Sequence, residues 1–311
     1  MATGSTVQII VNPAAGRKAG GEIAEALESR LRAEGWTCRV DATEGDGDAR
    51  RFAEESRSHG AEVIVVVGGD GTLFEVAAGL AAVEDGSPVL LVPAGSTNAV
   101  ARAFALPDDP EEVQALLAAG SPVDLDAGEI AGSERRFLLM ATVGYPARVA
   151  TDAGRDLKNR MGFLAYVWAA TSNLFRLRTA DLTLETDDRS HRYRRVGGVI
   201  VANIGSLADP KLRLIPGSDP RDGQLEVLVV GARSTWDWLR LALRALVGKV
   251  SDDDVVHLHR ARSVTVRASS PLPTQCDGEP LGETPLEVTV RPAALRLILP
   301  PQEVSSPGET A

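Results

Sequence analysis

The stretch VIVVVGGDGTLFEV, Val63 to Val76, decides the reading of the fold. Val63, Ile64, Val65, Val66 and Val67 are apolar on both faces, the pattern of a strand buried inside a parallel sheet. Gly68, Gly69 and Gly71 follow, where a missing side chain lets the backbone turn and a ligand come close. Thr72 and, three residues on, Glu75 have the spacing of a capping box that opens a helix. Strand, glycine loop and helix start make an anion site, because unpaired N–H groups and the positive end of the helix dipole point the same way. Asp70 stands inside that loop. A carboxylate there would repel phosphate unless a divalent cation lay between them, and Mg2+ carried on a nucleotide takes such hard oxygens.

Working outward, strand and helix signals alternate through about the first 120 residues. TVQIIV, TCRVDAT, EVIVVV and SPVLLVPAG read as strands. Between and after them come the amphipathic KAGGEIAEALESRLRAEG, closed by Gly35, a helix around Asp48 to Ser58, LFEVAAGLAAV, and a helix from about Asn98. This alternation predicts an α/β fold, a doubly wound N-terminal nucleotide-binding domain with ligands at the carboxyl ends of its strands. After AAGSPVDLD the character changes to short β-rich runs between turn residues: RRFLLMATV, ADLTLETD, RRVGGVIVANI, GQLEVLVVG, SVTVRAS and PLEVTVRP. These predict a second, antiparallel β-sandwich domain, interrupted by helices near Lys158 to Arg178 and Thr235 to Val247. The expected boundaries are 1–123 and 124–293, with a polar, disordered tail over 301–311 and a last strand, ALRLILP, near 294–300.

Composition sets the class. At 311 residues two domains are expected, and 44% hydrophobic with 24% charged residues is ordinary for a globular chain. No apolar run is long enough to span a bilayer, and MATGSTVQ has no signal-peptide character. Cys38 and Cys276 make no disulfide framework, which suits a reducing cytoplasm. A net charge of −10 argues against broad nucleic-acid binding. Residues 135–195 nevertheless hold 12 Lys and Arg against 6 Asp and Glu, leaving 21 against 37 elsewhere. Such a basic segment fits either an anionic partner, a nucleotide or a lipid surface, or ordinary solvated faces.

All four strand ends carry polar or glycine-rich loops. They are NPAAGRK with Asn12 and Gly16, ATEGDGDA with Thr43, GGDGT, and PAGSTNAVAR with Gly95, Ser96, Thr97 and Asn98. Each by itself reads equally well as a turn and cap. Their coincidence at one sheet edge points to a single crevice.

NPAAG, GGDGT and PAGSTNAVAR, in this order, resemble the catalytic domain of the diacylglycerol kinase and sphingosine kinase family, the bacterial soluble lipid kinases most of all. GGDGT is shared with NAD kinases and does not select among them. The resemblance implies an ATP site of Asn12, Gly16, Thr43, Gly68 to Thr72, Glu75, Gly95, Ser96, Thr97 and Asn98. It implies Mg2+ as the companion ion, an α/β domain followed by a β-sandwich, and a final strand that returns to the first domain. It also implies a lipid acceptor taken from a membrane surface by a cytoplasmic protein, peripheral at the inner membrane face; a homodimer stays open.

The resemblance points to CDGEPL for the candidate base, Asp277 or Glu279, and adds Asp70 and Asp126 as further catalytic acids. Asp277-Gly278 is also an ordinary hairpin signal. Two apart on an extended chain, Asp277 and Glu279 would face the same side. GSDPRDGQLEV resembles a loop that binds structural Mg2+, with Asp222 as the ligand and the carbonyls of Asp219 and Gln224 as companions. The chain departs from the family at Ala99, where Asp is usual, at Pro146 and Arg148 in a head-group segment, and at Arg221 in the metal loop. The segment GRDLKNRMGFLAYVWAATSNLFRLR, with basic ends around an aromatic middle, fits an interfacial helix or a helix packed on the sandwich. An ATP-dependent lipid kinase is the leading expectation; a soluble NAD kinase-like enzyme and a nucleotide-binding regulator without transfer are the alternatives.

Overall fold

Strand and helix alternate as far as Ala119: β1 (Thr6–Val11), α1 (Gly20–Ala33), β2 (Thr37–Ala42), α2 (Asp48–Glu55), β3 (Val63–Gly68), α3 (Asp70–Leu80), β4 (Val89–Pro93), α4 (Ala99–Ala103) and α5 (Pro110–Ala119). The computed structural model describes residues 5–15, 20–81, 83, 86–152, 178–187, 189–205, 215, 217–231, 235–246, 250–253 and 255–301. β1 lies parallel between β2 and β3, and β4 follows β3, giving the order β2-β1-β3-β4. Every residue of β3 is buried, because ladders run along both its edges and α1 and α3 both pack on it. The order reverses between β1 and β3, which is where a doubly wound sheet opens its crevice.

The remaining elements are β5 (Ser121–Ile130), β6 (Arg136–Phe137), β7 (Met140–Gly144), α6 (Tyr145–Asp152), β8 (Ala180–Thr186), β9 (Arg189–Val196), β10 (Gly198–Ala202), β11 (Leu225–Val230), α7 (Thr235–Leu246), β12 (Val256–Ala261), β13 (Ser263–Ala268), β14 (Pro273–Cys276), β15 (Glu279–Glu283) and β16 (Leu286–Leu299). Six of them form an antiparallel sheet in the order β12-β11-β10-β7-β14-β15. Val143, Val201 and Val227 from this sheet share one core with Leu184, Val264 and Val288 of β8, β13 and β16, which is the predicted sandwich. On its other face Ile200, Leu228 and Val230 pack with Leu241 of α7.

The chain joins what the sequence divides. PLEVTVRP and ALRLILP are a single strand, β16. Its start pairs with β13, and Leu297 near its end lies beside Val89 of β4, so one ten-stranded sheet runs through both halves. β5 follows β16 along both lengths, with a register break between Arg291 and Leu295 where Ala293 has φ 51°. The aromatic segment 154–178 lies outside the described residues apart from Arg178.

Candidate active site

The carboxyl edge of the parallel sheet is tied together by its own loops. Asn12 donates its backbone N–H to the Val67 carbonyl at 2.9 Å and its Nδ2 to Thr72 Oγ1 at 3.4 Å, fastening the exits of β1 and β3 to α3. The Thr43 N–H donates to the Val11 carbonyl at 2.9 Å, and the Glu75 carboxylate accepts the Gly47 N–H at 3.0 Å, which brings in the loop after β2. Asn98, in the left-handed region at φ 48°, donates Nδ2 to the Gly95 carbonyl and accepts the Gly95 N–H, closing the loop after β4. Ser96 and Thr97 stand half-buried within that loop. The glycines here serve close approach: a Cβ on Gly95 would lie 2.6 Å from the Gly69 Cα and 2.8 Å from Asn98 Oδ1. Asn12, Thr43, Gly68 to Thr72, Glu75 and Gly95 to Asn98 therefore share one rim; Gly16 lies outside the described residues.

One local expectation is corrected. The capping box of Thr72 and Glu75 does not form, because α3 starts at Asp70 and both residues lie inside its first turns. Thr72 is buried against Gly68, where a Cβ would come to 2.7 Å of its Oγ1, and Glu75 turns to Gly47. Asp70 also has a structural role that the sequence does not show. Its Oδ2 accepts the Ala99 N–H at 2.8 Å and its Oδ1 the Val100 N–H at 3.0 Å, capping α4. Burial raises its pKa, against the pull of those two N–H groups and of Arg102. The Gly69 cap of α3 has no side chain to offer, so the positive end of an 11-residue helix is left to a ligand.

On the sandwich side, Asp277 and Gly278 form a two-residue turn between β14 and β15 at φ 46° and 89°, with Cys276 paired to Glu279. They are not on an extended chain, so Asp277 and Glu279 do not share a face by alternation. The Asp277 carboxylate accepts the N–H groups of Leu138 at 2.8 Å, Leu139 at 3.1 Å and Met140 at 2.9 Å. Burial pushes it up to about 7 against those three bonds, and the charge of Asp70 adds to the rise. Glu279 is exposed at the start of β15. Cys276 is pushed up to about 12, first by burial and then by Asp277, and is inert as a nucleophile.

Asp126 is buried, and backbone donors take both its oxygens: Gly223 at 2.7 Å and Ala293 at 3.0 Å. Its own N–H donates to the Pro220 carbonyl at 2.7 Å, so Asp126 joins β5 to the 218–224 loop and to the bend of β16. That loop does not fit a divalent ion. Asp222 Oδ1 accepts the Gln224 N–H at 2.9 Å and Oδ2 accepts Arg260, while both Asp219 oxygens accept Arg221. The Asp219 carbonyl accepts the Asp222 N–H at 3.3 Å. Among the described residues no three His, Cys, Asp or Glu side chains are spaced to hold a metal.

Several residues that build the site escape the sequence reading. Asn203 donates Nδ2 to the carbonyls of Asp126 at 2.7 Å and Leu138 at 2.9 Å, linking the two acid-holding segments. An asparagine at the end of an apolar strand is the signal it leaves. Gln275 accepts the Gly278 N–H at 2.6 Å and donates to Thr142 Oγ1 at 2.7 Å, fixing the Asp277 turn.

Residues 6–130 match the diacylglycerol kinase catalytic domain, and residues 140–299 match the YegS C-terminal NAD kinase beta sandwich-like domain. The chain is 32% identical over 281 residues to the "Probable lipid kinase YegS-like" of Pseudomonas fluorescens, covering 90% of this chain and 91% of that one. It is 31% identical over 278 residues to the "Probable lipid kinase YegS" of Shigella boydii, covering 87% and 89%. The crystal structure of a diacylglycerol kinase from Bacillus anthracis shares the fold at 20% identity, with a TM-score of 0.74 over 97% of this chain and 99% of that one. With both halves matched and a third of its residues identical to such relatives along nearly its whole length, the chain belongs to the YegS-like lipid kinases, the bacterial family built on a diacylglycerol kinase catalytic domain.

Proposed function

We propose that this kinase moves the γ-phosphate of ATP to a hydroxyl of a diacylglycerol or sphingosine-like lipid, with Mg2+ travelling on the triphosphate. The observation that supports this most is the shared rim of the strand-end loops, where Asn12 bonds Thr72 and Gly95 packs on Gly69 beside the side-chain-free start of α3. Phosphoryl transfer asks a protein for position, charge neutralisation and removal of one proton. The uncapped start of α3 and the packed Gly69 and Gly95 loops suit phosphate oxygens, since backbone and not side chain faces them. Each Asp70 oxygen accepts one N–H and keeps a second lone pair, so Asp70 together with the phosphates would hold the Mg2+. When bound, that ion neutralises charge on the transferring group.

Asp277 is the candidate proton acceptor. Its carboxylate uses three of about four lone-pair sites on backbone N–H groups, leaving one for a lipid hydroxyl. A carboxyl held near 7 is balanced between holding and releasing a proton at neutral pH. Glu279 would orient the acceptor from the exposed side of the turn, and Asp126 acts by position, keeping β5, the 218–224 loop and β16 together. The acceptor lives in a bilayer, so the kinase would meet it at a membrane surface; no helix among the described residues is long and apolar enough to cross one.

The test is incubation with labelled ATP, Mg2+ and either a lipid extract or NAD, read for new phosphates by mass spectrometry. The match of residues 140–299 to an NAD kinase-like sandwich makes NAD the competing acceptor. Phosphorylated lipid is expected. Phosphorylated NAD, or ATP binding with no product from any lipid, would contradict the proposal. Asp277→Asn should lower kcat by about 10²- to 10⁴-fold, and Glu279→Gln by less; the reverse order would move the base to Glu279.

A further inference from the structure

The 218–224 loop and the β11–β12 ladder beside it bring three acids together: Asp219, Asp222 and Glu226. Two arginines answer them. The Arg221 guanidinium donates to both oxygens of Asp219, at 2.7 and 2.9 Å. Arg260 lies directly opposite Glu226 in the β11–β12 register, donates to Asp222 Oδ2, and stands 3.3 Å from Glu226 Oε1. Glu226 is buried to 3% exposure, and among the described residues no hydrogen bond reaches either of its oxygens. Arg260 is the cation that faces it, and burial still pushes the Glu226 pKa up to about 7 against that pull. Two of the three ligands expected from this loop already face N–H donors: the Asp222 carboxylate, and the Asp219 carbonyl, which takes the Asp222 N–H.

We infer that Arg260 is a built-in counter-ion: its guanidinium, shared by Asp222 and Glu226, occupies the place a structural divalent ion would take, and the fold is independent of such an ion. A guanidinium suits this because it is permanently charged and presents a planar fork of donors that can serve two carboxylates at once. The consequence extends beyond the loop. Gly223 holds Asp126 Oδ2, Pro220 accepts the Asp126 N–H, and Asp126 Oδ1 holds Ala293 at the bend of β16. Arg260 thus braces the loop that fixes the joint between the two halves of the ten-stranded sheet. It is a positioning residue, remote in sequence from everything it positions.

The test is thermal unfolding of the full chain with no nucleotide or lipid present, so its outcome does not depend on the proposed reaction. Wild-type protein should show the same Tm in excess EDTA and in excess Mg2+. Arg260→Met should lower Tm by about 5 °C in EDTA, and Mg2+ should return part of that loss by entering the vacated place between Asp222 and Glu226. Arg260→Lys, which keeps the charge, should stay indifferent to EDTA. A wild-type Tm that falls in EDTA and recovers with Mg2+ would overturn the inference, and that arm decides even if Arg260→Met does not fold. An Arg260→Met protein of unchanged Tm, or one whose loss Mg2+ does not return, would overturn it as well.

Discussion

On the α/β rim, Asp70 accepts N–H groups 29 and 30 residues further along the chain. In the sandwich, Asp277 accepts N–H groups 137 to 139 residues back. Both are half-buried carboxylates held by the backbone of another segment, and both have raised pKa values because desolvation outweighs those bonds. The difference is what each holds in place. Asp70 binds together two adjacent βα loops of one sheet; Asp277 binds a hairpin tip to the strand leading into β7. A local device can be read from adjacent motifs, whereas a long-range one exists only when the chain has folded.

The sharpest way to break this comparison is to remove Asp70. Asp70→Ala takes away both the cap of α4 and the acid proposed to hold Mg2+ with the phosphates, and kcat/KM should fall by about 10³-fold or more. Asp109→Ala provides the control. Asp109 also caps a helix, accepting the N–H groups of Glu111 and Glu112, yet it stands outside the rim. It should cost about 1 kcal/mol of stability and leave kcat unchanged. Equal activity losses in the two variants would reduce Asp70 to a cap.

Next in size is Gly95→Val, whose Cβ would meet the Gly69 Cα at 2.6 Å. Parting those loops should raise the KM for ATP by about 10- to 100-fold with a smaller change in kcat, read in steady-state kinetics. An unchanged KM would mean that the two loops do not jointly receive the nucleotide.

A third prediction concerns pH. Asp277 must be ionised to take a proton, so kcat/KM should rise through pH about 7 to a plateau. Stability should move the other way. The folded pKa of about 7 lies above the ordinary 3.8, so the folded state holds this proton more tightly. The resulting stability is present below pH 3.8 and is lost as pH rises to about 7. Denaturant unfolding across that window should show the slope in wild type and a flatter profile in Asp277→Asn.

The smallest effect lies at the far edge of the sandwich, where Tyr193 Oη and His259 Nε2 are 2.6 Å apart. Burial lowers the His259 pKa, the neighbouring His191 and His257 push the same way, and Asp252 opposes. A histidine kept neutral by the fold stabilises it fully above pH 6.5 and progressively less as pH falls below that value. His259→Phe should flatten the acid side of the stability profile without touching activity.

How much of this was legible follows the same division. VIVVVGG, NPAAG and PAGSTN revealed the α/β alternation and the rim, because each motif sits on one strand–loop–helix unit whose geometry is local. Asp70 was found, but its cap on α4 was not: its partners there are N–H groups of another loop, which no side-chain pattern reports. SPVDLDAGEI and VHLHRA, now β5 and β12, did not stand out as strands because charged and histidine side chains interrupt their apolar alternation. The continuity of β16 was hidden by Pro292, where the sequence suggests an end and the chain supplies a bend at Ala293. At the 218–224 loop the resemblance suggested an ion; Arg260, opposite Glu226 on the next strand, is visible as its substitute only once β11 and β12 are in register.

The account stands on Asp70 and Asp277 acting on one reaction from the two halves of the molecule. The most direct measurement is transfer of the labelled γ-phosphate from ATP to a lipid extract by wild type, Asp70→Ala and Asp277→Asn, with ATP binding followed in parallel. A labelled lipid from wild type, lost in both variants while Asp277→Asn still binds ATP, is the predicted result. Equal lipid labelling by wild type and Asp277→Asn would contradict it.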